Sequence, residues 1–321
     1  MSSQPHGDDE PAPVSATIEG AQRATVEQAQ LRRLNQMRDT LDGINSQTLD
    51  SASLDMLGVV LGQPLAVDPE SPSPWEGGFF RPWVAESFVR ELEEAWEFRH
   101  NWSGETDPAD PYHPAEWALP TNKALWFLSC LDTLCEQDLS LWDRCNTDPT
   151  EMFRATGLRL PMHTFTTQGG STVHQYQSEW TFFPIDGTKP HVACLVFDSC
   201  DAPADGLVLS SDVDYAIELI KFRLRHGRHT DHHTKPAIIY TIERESHARI
   251  TQAYLDSTTN QLVLRQSRQL HIGGPEPTDD AFTFVRWVAT VPAGETDAKD
   301  EDAAATQPPD MAPRLLLLGC T

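Results

Sequence analysis

Histidines are concentrated in one eleven-residue stretch, RHGRHTDHHTK, at positions 225–235. Imidazole nitrogens and carboxylate oxygens are good ligands for zinc and other transition metals, and a loop could bring several of them to one ion. The candidate ligands of a divalent metal are therefore His229, Asp231, His232 and His233. Two alternatives stay open for the same stretch: an anion-binding or pH-sensitive loop, and a solvated connector.

The residues before this stretch favour the connector. The segment SSDVDYAIELIKFRLRHG, 210–227, predicts a helix with an apolar stripe, for which Ser211 or Asp212 is the predicted N-cap. Acidic residues lie near its start and basic residues near its end, which is the order that a helix dipole favours. Gly227 then predicts the end of the helix. The histidines would follow as a polar loop that leads into a strand.

Carboxylates at strand ends form a second set of candidates. They are Asp186, Asp198, Glu243 and Glu245, which lie at or near the ends of predicted strands. Such carboxylates could hold Mg²⁺ in a nuclease-like site. A lysine two positions after a strand carboxylate would strengthen this reading, but the segment TIERES carries only Arg244 between its two glutamates. A hydrolase or nuclease-like enzyme that uses these carboxylates or the histidine-rich stretch is therefore the alternative function.

Tryptophan is the third unusual feature, because seven of the nine tryptophans lie between positions 75 and 142. Most of them are expected to form an aromatic core. Trp75, Trp102 and Trp117 fall in or beside predicted loops, and exposed tryptophans are favoured at binding sites. We therefore take these three residues as candidates for contacting a ligand.

Familiar catalytic motifs are absent from the sequence. It contains no GxGxxG, no phosphate-binding GK[ST] loop, no HExxH, no GxSxG and no EF-hand loop. Its six cysteines form no CxxC pair, so we expect them to be reduced residues of the core. The leading hypothesis is a non-enzymatic protein that binds another protein or a small ligand.

The charge of the chain restricts its partners. The formal net charge is -24, and residues 1–150 carry 9 basic against 26 acidic side chains. This balance argues against generic binding of nucleic acid. The start, MSSQPHGDDEPAP, lacks the basic and apolar regions of a secretory signal, and no apolar run approaches the roughly 20 residues that span a bilayer. We expect a cytoplasmic or nuclear protein that is neither secreted nor membrane-bound.

The hydrophobic pattern changes along the chain and predicts six regions. They are a disordered tail at 1–20, an amphipathic helical segment at 21–62, a proline-rich linker at 63–81, a helical tryptophan-rich region at 82–158, an α+β domain at 159–292 and an acidic disordered tail at 293–321. Strands are predicted in MHTFTTQ, STVHQYQSEWTFFPIDG, HVACLVFDS, PAIIYTIE, ARITQAYLD and QLVLRQS, and a second C-terminal helix in TDDAFTFVRWVATV.

These elements predict an α+β fold with a helical N-terminal half and, in the C-terminal half, a mixed or mainly antiparallel sheet with helices. The segment AIIYTIERESHARITQAYLDSTTNQLVLRQSRQL, 237–270, resembles segments of uncharacterised intracellular proteins of filamentous fungi. That resemblance covers about a tenth of the chain. It implies a fungal source and carries no implication for mechanism.

Overall fold

The computed structural model covers a defined part of the chain. The residues that it describes are 14–68, 78–82, 147–148, 160, 163–166, 172–184, 187–200, 203, 206–227, 229–244, 247–273, 278–288 and 290–297. Most of the predicted helical region at 82–158 lies outside them.

Four helices and thirteen strands occur in the described part of the chain. The helices are α1 (Val14–Ile44), α2 (Ser51–Leu57), α3 (Ser210–Arg225) and α4 (Asp279–Val288). The first strands are β1 (Thr48–Leu49), β2 (Val59–Leu61), β3 (Phe80–Arg81), β4 (Thr147–Asp148), β5 (His163–Thr166), β6 (Thr172–Pro184) and β7 (Val192–Asp198). The later strands are β8 (Val208–Leu209), β9 (Ala237–Glu243), β10 (His247–Leu255), β11 (Leu262–Gln266), β12 (Leu270–His271) and β13 (Val291–Pro292).

A large mixed sheet organises the molecule. Its strands run in the order β2-β11-β10-β9-β7-β6-β4, while β5 adds to β6 and β12 adds to β10. The β7–β9 and β2–β11 pairs are parallel and the other pairs are antiparallel. The prediction of an α+β fold with a mixed sheet is therefore confirmed. The N-terminal part of the described chain contains the helices α1 and α2. The apolar residues after α2 form β2, an edge strand of the sheet.

The two central strands, β7 and β9, are buried at every residue. Helix α3 connects them, as a parallel pair requires a crossover. On one face of the sheet Cys194, Val196 and Ile239 share a core with α1 and α3. On the opposite face Tyr240 meets Phe284 of α4 edge to face at 6.1 Å. Helices thus cover both faces of the central strands, which explains their continuous apolar sequence.

Helix α1 lies against α3 through its apolar stripe. Leu34 and Met37 are fully buried there, and the periodicity of the stripe follows the helical repeat. After β2 the chain runs extended along the sheet, where the amide of Leu65 donates to the carbonyl of Gln266 at 2.9 Å. None of the helices in the described part of the chain is long and apolar enough to cross a membrane.

Candidate functional site

The strand-end carboxylates Asp198 and Glu243 lie side by side. Each is the last residue of its strand, and Phe197 pairs with Ile242 in the parallel register of β7 and β9. The next two residues are therefore neighbours at the carboxyl ends of two parallel strands. In open α/β sheets this edge is where ligands commonly bind.

Helix α3 brings two more acidic residues to this edge. It begins at Ser210 after Leu209, which makes no side-chain cap, so the predicted capping by Ser211 or Asp212 is wrong. Ser211 instead donates its hydroxyl to Asp198 Oδ2 at 2.5 Å. Asp212 and Asp214 lie in the first turns of the helix and point into the core. We call the group of Asp198, Asp212, Asp214 and Glu243 the carboxylate cluster, and each member is 0% exposed.

Asp212 connects α3 to three strands through hydrogen bonds. Its Oδ1 accepts from Thr241 Oγ1 at 2.6 Å, and its Oδ2 accepts from Thr251 Oγ1 at 3.1 Å and from Gln266 Nε2 at 2.8 Å. Burial raises the pKa of this carboxyl, and the hydrogen bond from Thr241 opposes that rise. Three donors from β9, β10 and β11 converge on one side chain because a buried carboxylate is costly without them.

Glu243 is less completely paired. Its Oε2 accepts from Gln269 Nε2 at 3.0 Å, and Arg249 Nε lies 3.3 Å from Oε1. Burial raises the pKa of Glu243 to about 7, although the charge of Arg249 lowers it. The charge of Asp212 adds to the rise. Glu243 is therefore a buried carboxyl that titrates near neutral pH, a property common at functional sites.

Asp214 connects the cluster to α1 and to β5. It accepts from Tyr176 Oη at 2.9 Å, forms an ion pair with Arg38 and lies 3.1 Å from His163 Nε2. The same ring nitrogen is 2.8 Å from Arg38 Nη2. A guanidinium only donates, so His163 Nε2 accepts from it and the ring proton sits on Nδ1. Burial, followed by the charge of Arg38, lowers the pKa of His163 and favours this neutral form.

A pocket of about 100 Å³ opens next to Asp214, between α1, β5, β6 and the start of α3. We call it the α1–β5 pocket. Its lining residues are Leu41, Asp42, Asn45, Ser46, His163, Thr164, Tyr176 and Ser210. The rings of His163 and Tyr176 stack in its wall with centroids 5.1 Å apart. The pocket therefore combines an aromatic wall with polar side chains.

Asp198 also contacts residues that could bind a metal ion. His174 Nε2 lies 2.5 Å from its Oδ1, and the amide of Cys200 donates to the same oxygen at 2.8 Å. A ring nitrogen of His174, a carboxylate oxygen of Asp198 and the sulfur of Cys200 all lie within 4.8 Å of one another. Sequence reasoning about metal ligands missed His174 and Cys200.

The histidine-rich stretch lies at the other end of α3. We call residues 226–235 the histidine loop. In it His232 Nδ1 is 2.6 Å from Thr296 Oγ1 and 2.7 Å from Asp297 Oδ1, while His229 Nδ1 is 3.2 Å from the carbonyl of Thr188. His233 is held through its amide, which donates to the carbonyl of Thr296.

The side chains of the histidine loop therefore do not converge on one point. The rings of His229 and His232 are 5.9 Å apart, and the Asp231 side chain is 71% exposed at 3.8 Å from His232 Nε2. Across the described part of the chain, the group of three potential ligands within 4.8 Å is His174, Asp198 and Cys200. Metal binding by the loop stays a prediction.

Several other candidates cannot be placed. Trp75, Trp102, Trp117, Asp186 and Glu245 lie outside the described residues. Comparison of the chain with protein-family models, with curated protein sequences and with solved structures gives no match. The functional argument therefore depends on the geometry of the carboxylate cluster and of the α1–β5 pocket.

Proposed function

We propose that this protein binds a small polar ligand in the α1–β5 pocket and that binding, without chemical turnover, is its activity. The observation that carries the proposal is that the pocket wall is held by the buried carboxylate cluster. Asp214 of α3 accepts from Tyr176 and pairs with Arg38, and Arg38 in turn donates to His163. A wall held in this way loses little side-chain freedom when a ligand binds.

The pocket favours a ligand that carries both a positive and a negative end. The last turn of α1 contributes Leu41 and Asp42, while the first turn of α3 contributes Ser210. A helix attracts cations at its carboxyl end and anions at its amino end. A volume of about 100 Å³ is small beside the roughly 300–1,000 Å³ of ordinary small-molecule pockets, so the ligand has few atoms. A polar side chain presented by a partner protein would satisfy the same pocket.

Burial of the carboxylates supports binding over catalysis. A general acid or base must reach the substrate within hydrogen-bond distance. All four carboxylates are buried, and Tyr176 lies between the pocket, which it lines, and Asp214, to which it donates. The cluster therefore acts on a ligand in the pocket through the side chains that it orients.

The proposal is tested with simple solutes of defined charge. Glycine carries both charges, ethanolamine only the positive one and acetate only the negative one, and calorimetry measures the binding of each to the full chain. We expect glycine to bind most tightly. Thr164 lies exposed at the pocket, so Thr164→Trp should block it and weaken glycine binding by at least about tenfold, or 1.4 kcal/mol.

The matched control is Thr259→Trp. Thr259 is exposed in the turn between β10 and β11, away from the residues that line the pocket. This variant should bind glycine like the wild type. Equal binding by both tryptophan variants, or tighter binding of ethanolamine or acetate than of glycine, contradicts a dipolar ligand in this pocket.

A metal-dependent hydrolase or nuclease-like enzyme is the second candidate function. It is favoured by the position of Asp198 and Glu243 at the carboxyl ends of neighbouring strands, with Arg249 as the cation beside Glu243. The test is hydrolysis of a chromogenic phosphodiester with Mg²⁺ or Mn²⁺. Glu243→Gln should abolish turnover while Asp231→Ala retains it. Absence of turnover in the wild type, or its survival in Glu243→Gln, excludes this candidate.

A further inference from the structure

His174, Asp198 and Cys200 meet because of the register between β6 and β7. Tyr176 is the antiparallel partner of Asp198, so His174 lies opposite Cys200 when the pairing is extended by two residues. Side chains alternate between the faces of a strand, so positions two apart share a face. All three side chains therefore lie on the face of the sheet that α3 covers.

The donor set is typical of zinc. An imidazole nitrogen, a thiolate sulfur and a carboxylate oxygen are ligands that Zn²⁺ accepts together, whereas Mg²⁺ and Ca²⁺ prefer oxygen alone. A neutral imidazole, a thiolate and a carboxylate also carry two negative charges in total. They would balance the two positive charges of the ion, so the assembled complex is neutral. Neutrality matters here because His174 and Asp198 are fully buried.

Surrounding groups hold the carboxylate in place. Ser211 donates to Asp198 Oδ2, while the amide of Cys200 donates to Oδ1. Donors of this kind orient metal-ligating carboxylates in known sites. The backbone on either side of Cys200 is also fixed, because the amide of Ser199 donates to the carbonyl of Gln175 at 2.9 Å and the amide of Arg244 donates to the carbonyl of Cys200 at 3.1 Å.

We infer that His174, Asp198 and Cys200 form a binding site for a zinc-type transition-metal ion. The ion would take the place between His174 and Asp198 where the two side chains now share a hydrogen bond, and the thiol of Cys200 would release its proton on binding. The site differs from the α1–β5 pocket in ligand and position. Tyr176 separates them, since it lines the pocket and its ring centroid lies 5.6 Å from that of His174.

The test uses the full chain, stripped of metal with a chelator and titrated with Co²⁺, a spectroscopic substitute for Zn²⁺. Wild-type protein should bind one ion with an absorption band from thiolate-to-cobalt charge transfer. Cys200→Ser should lose this band and weaken binding by at least about 100-fold, because loss of a direct ligand costs more than loss of a supporting group. His174→Asn should weaken binding to a similar extent and keep a thiolate band at saturating Co²⁺.

The chain offers matched controls. Cys194 lies in β7, the strand that precedes Cys200, and is fully buried, so Cys194→Ser tests the loss of a neighbouring thiol. His191→Asn is the control for His174→Asn, because it tests the loss of another buried histidine. Both should bind Co²⁺ like the wild type. A triple variant of the histidine loop, His229→Asn with His232→Asn and His233→Asn, should also retain the band.

Two results would overturn the inference. In the first, folded Cys200→Ser shows the wild-type band and affinity. In the second, the histidine-loop variant loses the ion while Cys200→Ser keeps it, which would place the site in the loop. If Cys200→Ser does not fold, alkylation of the wild type mapped by mass spectrometry decides the question: Zn²⁺ should protect Cys200, and unchanged labelling contradicts the site.

Discussion

The two ends of α3 both carry dense groups of titratable residues, but the two groups differ in burial and in the partners that they bond. At the amino end the carboxylate cluster is fully buried and hydrogen-bonded to side chains from β6, β9, β10 and β11. At the carboxyl end the histidine loop is partly exposed, and many of its contacts are to backbone carbonyls. The difference teaches that a density of ionisable residues in sequence does not by itself indicate a shared site.

The charged residues at both ends of α3 interact favourably with the helix dipole. The dipole of α3 stabilises Asp212 at the amino end and Arg223 and Arg225 at the carboxyl end. Arg223 also donates to the carbonyl of His191 and stacks over the ring of Phe183 at 4.3 Å. The dipole therefore explains the order of charges, while burial at only one end depends on how the sheet packs there.

The largest expected effect is that of Asp212→Ala. It leaves the hydroxyls of Thr241 and Thr251 without their acceptor in the core and removes one of the two acceptors of the Gln266 amide. We expect the free energy of unfolding in urea to fall by roughly 3–5 kcal/mol. Asp231→Ala, in the histidine loop, should change it by less than about 0.5 kcal/mol because that side chain is mostly exposed. Similar losses in both variants would remove the distinction between the two ends.

Glu243→Gln tests the carboxylate cluster through the dependence of stability on pH. Burial raises the pKa of Glu243 from 4.5 to about 7, so between these values the unfolded chain releases a proton that the folded protein keeps. The contribution of Glu243 to stability is therefore fully present below pH 4.5 and is lost as pH rises towards 7, by about 3 kcal/mol.

Glutamine stays neutral and should lack this part of the decline. The measurement is the difference in unfolding free energy between Glu243→Gln and wild type at pH 5 and at pH 8. We expect the variant to gain relative stability at the higher pH. A difference that does not change with pH shows that Glu243 does not titrate in this range.

Lys235→Met tests what holds the histidine loop. This buried lysine donates to the carbonyls of His229 and His232 and lies 3.2 Å from Glu27 Oε1 on α1. Its loss should cost about 2 kcal/mol and speed amide exchange at His232 and His233. The control is Lys221→Met, a buried lysine of α3 paired with Glu218, which should leave exchange in the loop unchanged. Unchanged exchange in Lys235→Met would mean that the loop is held by its other contacts.

His229→Asn has the smallest expected effect and the opposite dependence on pH from Glu243→Gln. Burial lowers the pKa of His229 to about 4 from 6.5, so acidification through this range protonates the unfolded chain first and destabilises the fold. Asparagine does not titrate and tolerates the left-handed φ of 64° at this position. The variant should lose less stability than wild type between pH 6.5 and pH 4, measured by thermal unfolding. A larger loss in the variant contradicts this assignment.

Much of the sheet and its helices was predictable because period and length are local signals. Strands β5, β6, β7, β9 and β11 and helices α3 and α4 fall within the predicted segments, and β10 begins one residue before its segment, whereas β8 was not predicted. Asp198 and Glu243 were also identified in advance, since each ends an apolar strand. Asp212 was not, because an acidic residue in the first turn of a helix resembles an ordinary cap in sequence. Its burial depends on Thr251 and Gln266, which follow it by 39 and 54 residues.

The amino-acid sequence by itself indicated an α+β fold with a mixed sheet, the apolar strands that are now β7 and β9, and the order of charges along α3. These properties depend on residues within about one element of each other. Only the tertiary structure decided which polar residues meet, because the register of β6 on β7 joins His174 to Asp198 and Cys200, and the docking of α3 adds Asp212 and Asp214. Register and docking are set by the packing of the whole core, so the most conspicuous chemistry in the sequence, the histidine loop, is not where the described side chains converge.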